Sequence, residues 1–131
     1  IRAHWNTRTK PVGSLGRLED LVTQYCLLRR ELLPPRPVMG LYVFAGDHGV
    51  ASEGVSAYPP SVTAQMMTNF AAGGSAVNGL GRHYGVTVEI VDCGVGRPTR
   101  NFVWEPALSS AELDGHLAAG KELARLAATR F

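Results

Sequence analysis

The sequence has little excess charge and no long hydrophobic run. Its 13 basic and 11 acidic residues give a net charge of +2, and the longest basic run is Arg29-Arg30. Nucleic-acid-binding domains usually carry a basic patch, so the sequence predicts no nucleic-acid partner. A membrane-spanning helix needs roughly 20 consecutive apolar residues, and no segment of the chain approaches that length. We therefore expect no association with a membrane.

Cysteine is also scarce. The two cysteines, Cys26 and Cys93, lie in apolar stretches, and neither is part of a CxxC pair. Unpaired, buried thiols are typical of proteins in a reducing compartment. The sequence therefore predicts two buried free thiols and a cytoplasmic location. Because the chain starts at Ile1 and ends at Phe131 within a helical pattern, we expect it to be a piece of a longer protein.

Helical periodicity first appears in the N-terminal part of the chain. Residues 1–13 are polar and include helix breakers, so no helix is predicted there. Ser14 is the predicted cap of a helix that runs to about Leu33, with apolar residues spaced three and four apart. Pro34-Pro35 should end this helix, because proline cannot continue it.

Two strands and the helices around them are predicted in the rest of the chain. Val38–Ala45 is almost continuously apolar, and Val86–Asp92 is rich in β-branched residues. Between them, a helical pattern begins at Ser61, breaks at Gly73-Gly74 and ends at Gly85. This order predicts a right-handed βαβ unit with parallel strands. The fold class is therefore α/β, with a parallel sheet that two strands leave incomplete.

A last helix should follow residue 109. Ser109 and Glu112 have the Ser-x-x-Glu spacing of a capping box, and apolar residues recur at helical spacing after them.

Candidate site residues follow the two predicted strands. The strands end in Asp47-His48-Gly49 and Asp92-Cys93-Gly94, and ligands bind outside the carboxyl ends of parallel strands. The aspartates could accept hydrogen bonds from sugar hydroxyls or bind cations, or could only accept backbone N–H groups in tight turns. His48 could be a base, a metal ligand or a hydrogen-bonding loop residue. No metal site is predicted, because the four histidines lack ligand spacing.

The connection between the first strand and the next helix, residues 47–60, is about fourteen residues long. Ordinary strand-to-helix loops have roughly two to six residues, and overlong loops often carry function. Tyr58 in this loop and Met66 in the helix could form the walls of a flat slot for an aromatic ligand. Met66 also fits the helical period of a core residue.

Several sequence blocks together resemble the nicotinate-nucleotide:dimethylbenzimidazole phosphoribosyltransferase family of cobalamin biosynthesis. They cover nearly the whole chain in the family's order and spacing. The blocks are Thr9–Glu19, Val43–Val50, Glu53–Pro59, Val62–Met66, Asn69–Asn78 and Val91–Val95.

The resemblance implies a reaction and a fold. A phosphoribosyl group moves from nicotinate mononucleotide to 5,6-dimethylbenzimidazole, giving α-ribazole 5′-phosphate and nicotinate, with no metal or organic cofactor. The fold would be a Rossmann-like parallel sheet with a small helical domain, assembled as a homodimer when the protein is full length. Residues 1–33 would belong to the small helical domain, and residues 38–131 would form the first part of the large α/β domain.

The resemblance also implies roles for site residues. By the family match, Tyr58 and Met66 would line the slot for the aromatic base. From their positions at the strand ends, we expect Asp47 and His48 on the same base side, and Asp92 with Gly94 on the ribose or nucleotide side. The family's general-base glutamate would lie beyond residue 131. We therefore expect no catalytic residue in this chain and no activity of the chain alone.

Two other kinds of function remain open at the level of sequence. One is a metal-dependent hydrolase that uses Asp47, His48 and Asp92. The other is a non-catalytic module that binds a nucleotide or a base.

Overall fold

In the computed structural model, which describes residues 1–131, the chain divides into two compact units, residues 1–37 and 38–131. Each unit is described by itself. None of the helices combines the length and the apolar character needed to cross a membrane.

The first unit contains two helices, α1 (Arg2–Asn6) and α2 (Arg17–Arg29). The prediction that residues 1–13 form no helix is wrong. The predicted bounds of the second helix are also wrong: α2 starts after Gly16 rather than at a Ser14 cap. It ends where Arg30 adopts a left-handed conformation with φ 54°, before the prolines are reached.

Side-chain bonds hold the N-terminal segment against α2. The Trp5 indole N–H donates to the Thr23 hydroxyl at 3.2 Å. Lys10 forms a 2.6 Å ion pair with Glu19, which lies in the first turn of α2. These partners lie nine and eighteen residues apart in sequence, so no local periodicity could have revealed α1.

The apolar stripe of α2 is mostly uncovered within this chain. Leu28 is 83% exposed and Leu18 is 60% exposed, whereas Cys26 is 3% exposed. Both cysteines are free thiols, as predicted, but Cys93 is exposed rather than buried. It lies in the turn that follows a strand end, where the apolar residues before it no longer determine its burial.

The second unit is built on two parallel strands, β1 (Met39–Ala45) and β2 (Val86–Asp92). Met39 pairs with Val86 at one end of the sheet and Ala45 pairs with Asp92 at the other. The predicted parallel pairing is confirmed, and the carboxyl ends of both strands lie at the same edge.

The helical crossover between the strands is divided as predicted. Helix α3 spans Ser61–Ala71 and α4 spans Ala76–Tyr84. Ser75 is buried and caps α4, because its hydroxyl accepts the Asn78 amide at 3.3 Å. Gly85 ends α4, again as predicted.

The last helix, α5 (Ser110–Ala128), starts with the predicted capping box of Ser109 and Glu112. The Glu112 carboxylate also receives two bonds from the Arg100 guanidinium, at 3.3 and 2.5 Å. The Arg100 bond, followed by the Ser109 backbone bond, lowers the pKa of Glu112 to about 2. This pair fixes the start of α5 to the loop that follows β2.

The chain ends against the sheet. The Phe131 ring meets Tyr42 edge to face with 6.3 Å between ring centroids, and Arg130 forms a 2.7 Å ion pair with Glu89 of β2. The same ring fills the space that a Cβ atom on Gly40 of β1 would occupy.

Candidate functional site

The two strand ends are joined at the carboxyl edge of the sheet. The Asp47 amide donates to the Gly94 carbonyl at 3.4 Å, and the Cys93 amide donates to the Ala45 carbonyl at 2.6 Å. The Thr99 amide then donates to the Asp47 carbonyl at 3.2 Å. These bonds continue the β1–β2 pairing into the loops that carry both predicted aspartates.

Asp47 is buried, with 7% of its surface exposed. One carboxylate oxygen, Oδ2, accepts the Gly96 amide at 2.7 Å. The Gly96 bond, and after it a bond from the Thr63 hydroxyl, lowers the pKa of the Asp47 carboxyl. Asp47 therefore connects the end of β1 to helix α3 and to the loop after β2.

Asp92 is the last residue of β2, pairs with Ala45 of β1, and is exposed. Its Oδ1 accepts the amides of Gly94 and Val95, both at 2.8 Å. These bonds, the Val95 bond first, lower the pKa of the Asp92 carboxyl. All of these partners are within three residues of Asp92, so the carboxylate shapes only its own turn.

His48 is exposed, and its backbone forms an isolated parallel bridge with Thr99. No three or more His, Cys, Asp or Glu side chains converge closely enough to hold a metal ion. The set of Asp47, His48 and Asp92 therefore does not assemble as the hydrolase alternative would need.

The first half of the long loop is ordered by contacts across the site. Residues Gly49–Glu53 form a short 3-10 helix. The Glu53 carboxylate accepts the Asn101 amide N–H at 2.6 Å and the Trp104 indole N–H at 3.1 Å. Glu53, Asn101 and Trp104 were not predicted as site residues, because about fifty positions separate these partners and no motif links them.

Tyr58 and Met66 are both accessible to solvent, at 71% and 37% exposure. Tyr58 lies in the second half of the loop, where its carbonyl accepts the Ser56 hydroxyl at 2.9 Å. Met66 lies on α3 and is not a core residue of this chain. That the two side chains line one slot stays a prediction.

The sequence was compared with models of known protein families. The sequence model described as a phosphoribosyltransferase matches residues 1–130. The chain belongs to this family.

Individual phosphoribosyltransferases support the assignment. The chain is 45% identical to the nicotinate-nucleotide–dimethylbenzimidazole phosphoribosyltransferase of Ralstonia nicotianae, over 93% of this chain and 39% of that protein. The identity to the protein of the same name from Chlorobaculum tepidum is 42%, over 95% and 39% of the two chains. The chain thus spans about two fifths of the length of the curated relatives it matches.

The fold is shared with a solved member of the phosphoribosyltransferase family. The crystal structure of the enzyme with this name from Thermus thermophilus superposes with a TM-score of 0.87 at 34% sequence identity. The match covers 98% of this chain and 43% of the Thermus chain. The α/β fold class with an incomplete parallel sheet is therefore confirmed.

Proposed function

We propose that this chain is part of an enzyme that transfers phosphoribose from nicotinate mononucleotide to 5,6-dimethylbenzimidazole. The observation that carries the proposal is the 45% identity, over 93% of the chain, to a relative that bears the name of this activity. In the reaction, a ring nitrogen of the benzimidazole forms a bond to ribose C1′ while the bond from C1′ to nicotinate breaks. The attacking base then loses its ring proton to an acceptor.

The dimethylbenzimidazole substrate would bind beside the long loop. The accessible Tyr58 ring and Met66 thioether supply the flat, apolar surfaces that an uncharged aromatic ring prefers. His48 is exposed at the start of this loop and has hydrogen-bonding nitrogens available to the ligand. Asp47 would act on this side through the loops it connects, since Gly96 and Thr63 already bind its carboxylate.

The nucleotide would lie towards the other strand end. The hydrogen bonds from the Gly94 and Val95 amides are both accepted by Oδ1 of Asp92. The other carboxylate oxygen, Oδ2, could therefore accept a hydrogen bond from a ribose hydroxyl. Gly94 has φ 116°, a conformation that L side chains rarely adopt. Without a side chain at this position, the backbone can approach the sugar closely.

The proton acceptor would come from outside this chain. A general base works best when its pKa lies near the working pH. The hydrogen bonds that lower the pKa of Asp47 and of Asp92 make both carboxylates weak proton acceptors. We therefore assign them positioning and binding roles and expect the chain alone to be inactive.

We further propose a cytoplasmic, homodimeric full-length enzyme that has no nucleic-acid partner. The two free cysteines support a reducing compartment. Residues 1–33, with the exposed leucines of α2, would be part of the small helical domain, and residues 38–131 would start the large α/β domain.

The proposed activity can be tested with a hybrid protein. In this hybrid, residues 1–131 replace the aligned two fifths of the Ralstonia nicotianae relative, and nicotinate release is measured with dimethylbenzimidazole as the acceptor. We expect kcat/KM within roughly tenfold of the Ralstonia parent. The chain alone should be at least about 10²-fold slower, because positioned proton acceptors contribute that much. An inactive but folded hybrid would contradict the proposed function.

Base-side variants of the hybrid test the slot. Tyr58→Ala and Met66→Ala each remove one proposed wall, so they should change the preference between dimethylbenzimidazole and unsubstituted benzimidazole. The KM for nicotinate mononucleotide should change less than about threefold, because that substrate binds elsewhere. Tyr84→Ala, an exposed tyrosine at the end of α4, is the matched control. Unchanged base preference in both slot variants would show that the slot is assigned incorrectly.

A further inference from the structure

The long loop is held at two points, and the segment between them carries Tyr58. At its upstream end, the 3-10 helix Gly49–Glu53 lies against the segment that follows β2. At its downstream end, α3 starts at Ser61, and Val62 and Thr63 donate their backbone amides to Pro59 and Pro60 in its first turn. Residues 54–60 form an arch between these anchors, and the only side-chain hydrogen bonds within it are those between Ser56 and Tyr58.

Glu53 is the last residue of the upstream anchor. Its Oε1 accepts N–H groups from Asn101 at 2.6 Å and from Trp104 at 3.1 Å. Asn101 is half-buried, and its amide also donates to the Ser52 hydroxyl at 3.3 Å. Hydrogen bonds to an ionised carboxylate are roughly twice as strong as neutral ones. Glu53 therefore fixes the point at which the arch begins.

A close backbone contact at Gly49 also restricts the movement of the upstream anchor. A Cβ atom on Gly49 would lie 2.5 Å from the Thr99 carbonyl oxygen and 2.7 Å from the Asn101 amide nitrogen. This close backbone approach fixes the first residue of the 3-10 helix against the same segment that Glu53 contacts. Gly54, directly after Glu53, has φ 73° and turns the chain away into the arch.

We propose that Glu53 is a positioning residue for the binding of the dimethylbenzimidazole substrate. Its hydrogen bonds to Asn101 and Trp104 fix the position and direction in which the 54–60 arch leaves the 3-10 helix. The arch in turn determines where the Tyr58 ring contacts the dimethylbenzimidazole. The inference rests on the proposed function, since Tyr58 acts on the base only if that function is correct. Glu53 itself touches neither substrate nor reacting atoms.

The experiment uses the hybrid and four substitutions. Glu53→Ala removes the carboxylate that accepts the Asn101 and Trp104 N–H groups. Trp104→Phe keeps an aromatic ring at position 104 but removes the indole N–H. Glu53→Gln retains an amide oxygen that can accept both bonds. Glu122→Ala is the matched control, because Glu122 is an exposed glutamate whose carboxylate pairs with Arg125 on the same helix. Circular dichroism and unfolding midpoints establish that each variant is folded.

We expect Glu53→Ala to raise the KM for dimethylbenzimidazole by about tenfold while kcat and the KM for nicotinate mononucleotide change less than about threefold. Trp104→Phe should show a smaller change in the same direction, and Glu53→Gln should stay within about threefold of the unmodified hybrid. Hydrogen exchange at the Gly49, Ala51 and Gly54 amides, which are hydrogen-bonded in the upstream anchor, should be at least about fivefold faster in Glu53→Ala. Glu122→Ala should change none of these quantities.

The outcomes separate this inference from the proposed function. A folded hybrid without substitutions that releases no nicotinate overturns the proposed function. An active hybrid in which Glu53→Ala leaves the base KM and the exchange at Gly49, Ala51 and Gly54 unchanged overturns the positioning role alone. If Glu53→Ala fails to fold, the conservative Trp104→Phe decides the matter, and an unchanged base KM in that variant overturns the positioning role.

Discussion

The two strand ends have the same sequence pattern and different structures. Asp47 lies two residues after β1, Asp92 is the last residue of β2, and each is followed, two positions later, by glycine. Asp47 is buried and bonds Gly96 and Thr63, which belong to other parts of the unit, whereas Asp92 is exposed and bonds only its own turn. An Asp-x-Gly sequence therefore marks the carboxyl edge of the sheet but does not tell which aspartate is buried and which is exposed.

The largest expected effect is on stability, at Asp47. Asp47→Ala leaves the Gly96 amide without its acceptor inside the structure and removes the carboxylate from its buried position. We expect the unfolding midpoint of the hybrid to fall by about 5 °C or more. Asp92→Ala, measured in parallel by circular dichroism, should lower it by less than about 2 °C. Equal losses from the two variants would remove the distinction between the strand ends.

Acid sharpens the same contrast. The pKa of Asp47 is lowered from its ordinary value of 3.8 by the Gly96 and Thr63 bonds. The stability from its ionised form is therefore fully present above about pH 4 and is lost as the pH falls through the lowered pKa. Asp47→Asn should be less stable than the unmodified hybrid at pH 7, and the two should converge as the pH is lowered below about 4. A stability gap that widens in acid would contradict the assigned sign.

The next effect is on substrate binding, at Asp92. In the hybrid, Asp92→Ala should raise the KM for nicotinate mononucleotide by about tenfold with little change in the KM for dimethylbenzimidazole. Asp92→Asn is the control for turn shape, since its amide oxygen can still accept the Gly94 and Val95 amides. If Asp92→Ala raises the KM for dimethylbenzimidazole more than the KM for nicotinate mononucleotide, the assignment of Asp92 to the nucleotide side is wrong.

The smallest effect concerns the cysteines and should leave the fold unchanged. Cys93, beside Asp92, is exposed, and Cys26 is 3% exposed. Iodoacetamide should therefore modify one thiol per native chain, and Cys93→Ser should abolish that reaction. Mass spectrometry of labelled peptides distinguishes the sites. Rapid labelling of Cys26 without denaturant would show that the first unit opens in solution.

Local patterns predicted much of the fold. The β1–β2 pairing, the break between α3 and α4, and the Ser109–Glu112 capping box each depend on residues close in sequence or on strand order. The N-terminal helix was not predicted, because it is held by tertiary bonds such as that between Trp5 and Thr23.

The loops at the carboxyl edge of the sheet were predictable in position, but their contacts were not. The loop length and the strand endings identified Asp47, Asp92 and the segment that contains Tyr58. The sequence could not show that Thr63 and Gly96 bind Asp47, or that Glu53 binds Asn101 and Trp104, because such pairings depend on how distant segments come together. The base, nucleotide and positioning roles assigned to these residues remain predictions.

The Phe131 ring over Gly40 has an evolutionary consequence. Because the ring fills the space of a Cβ on Gly40, the two positions share a single volume. A lineage that acquires alanine at position 40 while the ring is in place would gain a steric clash. Replacement of the phenylalanine by a smaller residue would have to come first, as a permissive substitution. We expect the two positions to covary among relatives, with bulky residues at one accompanied by glycine at the other.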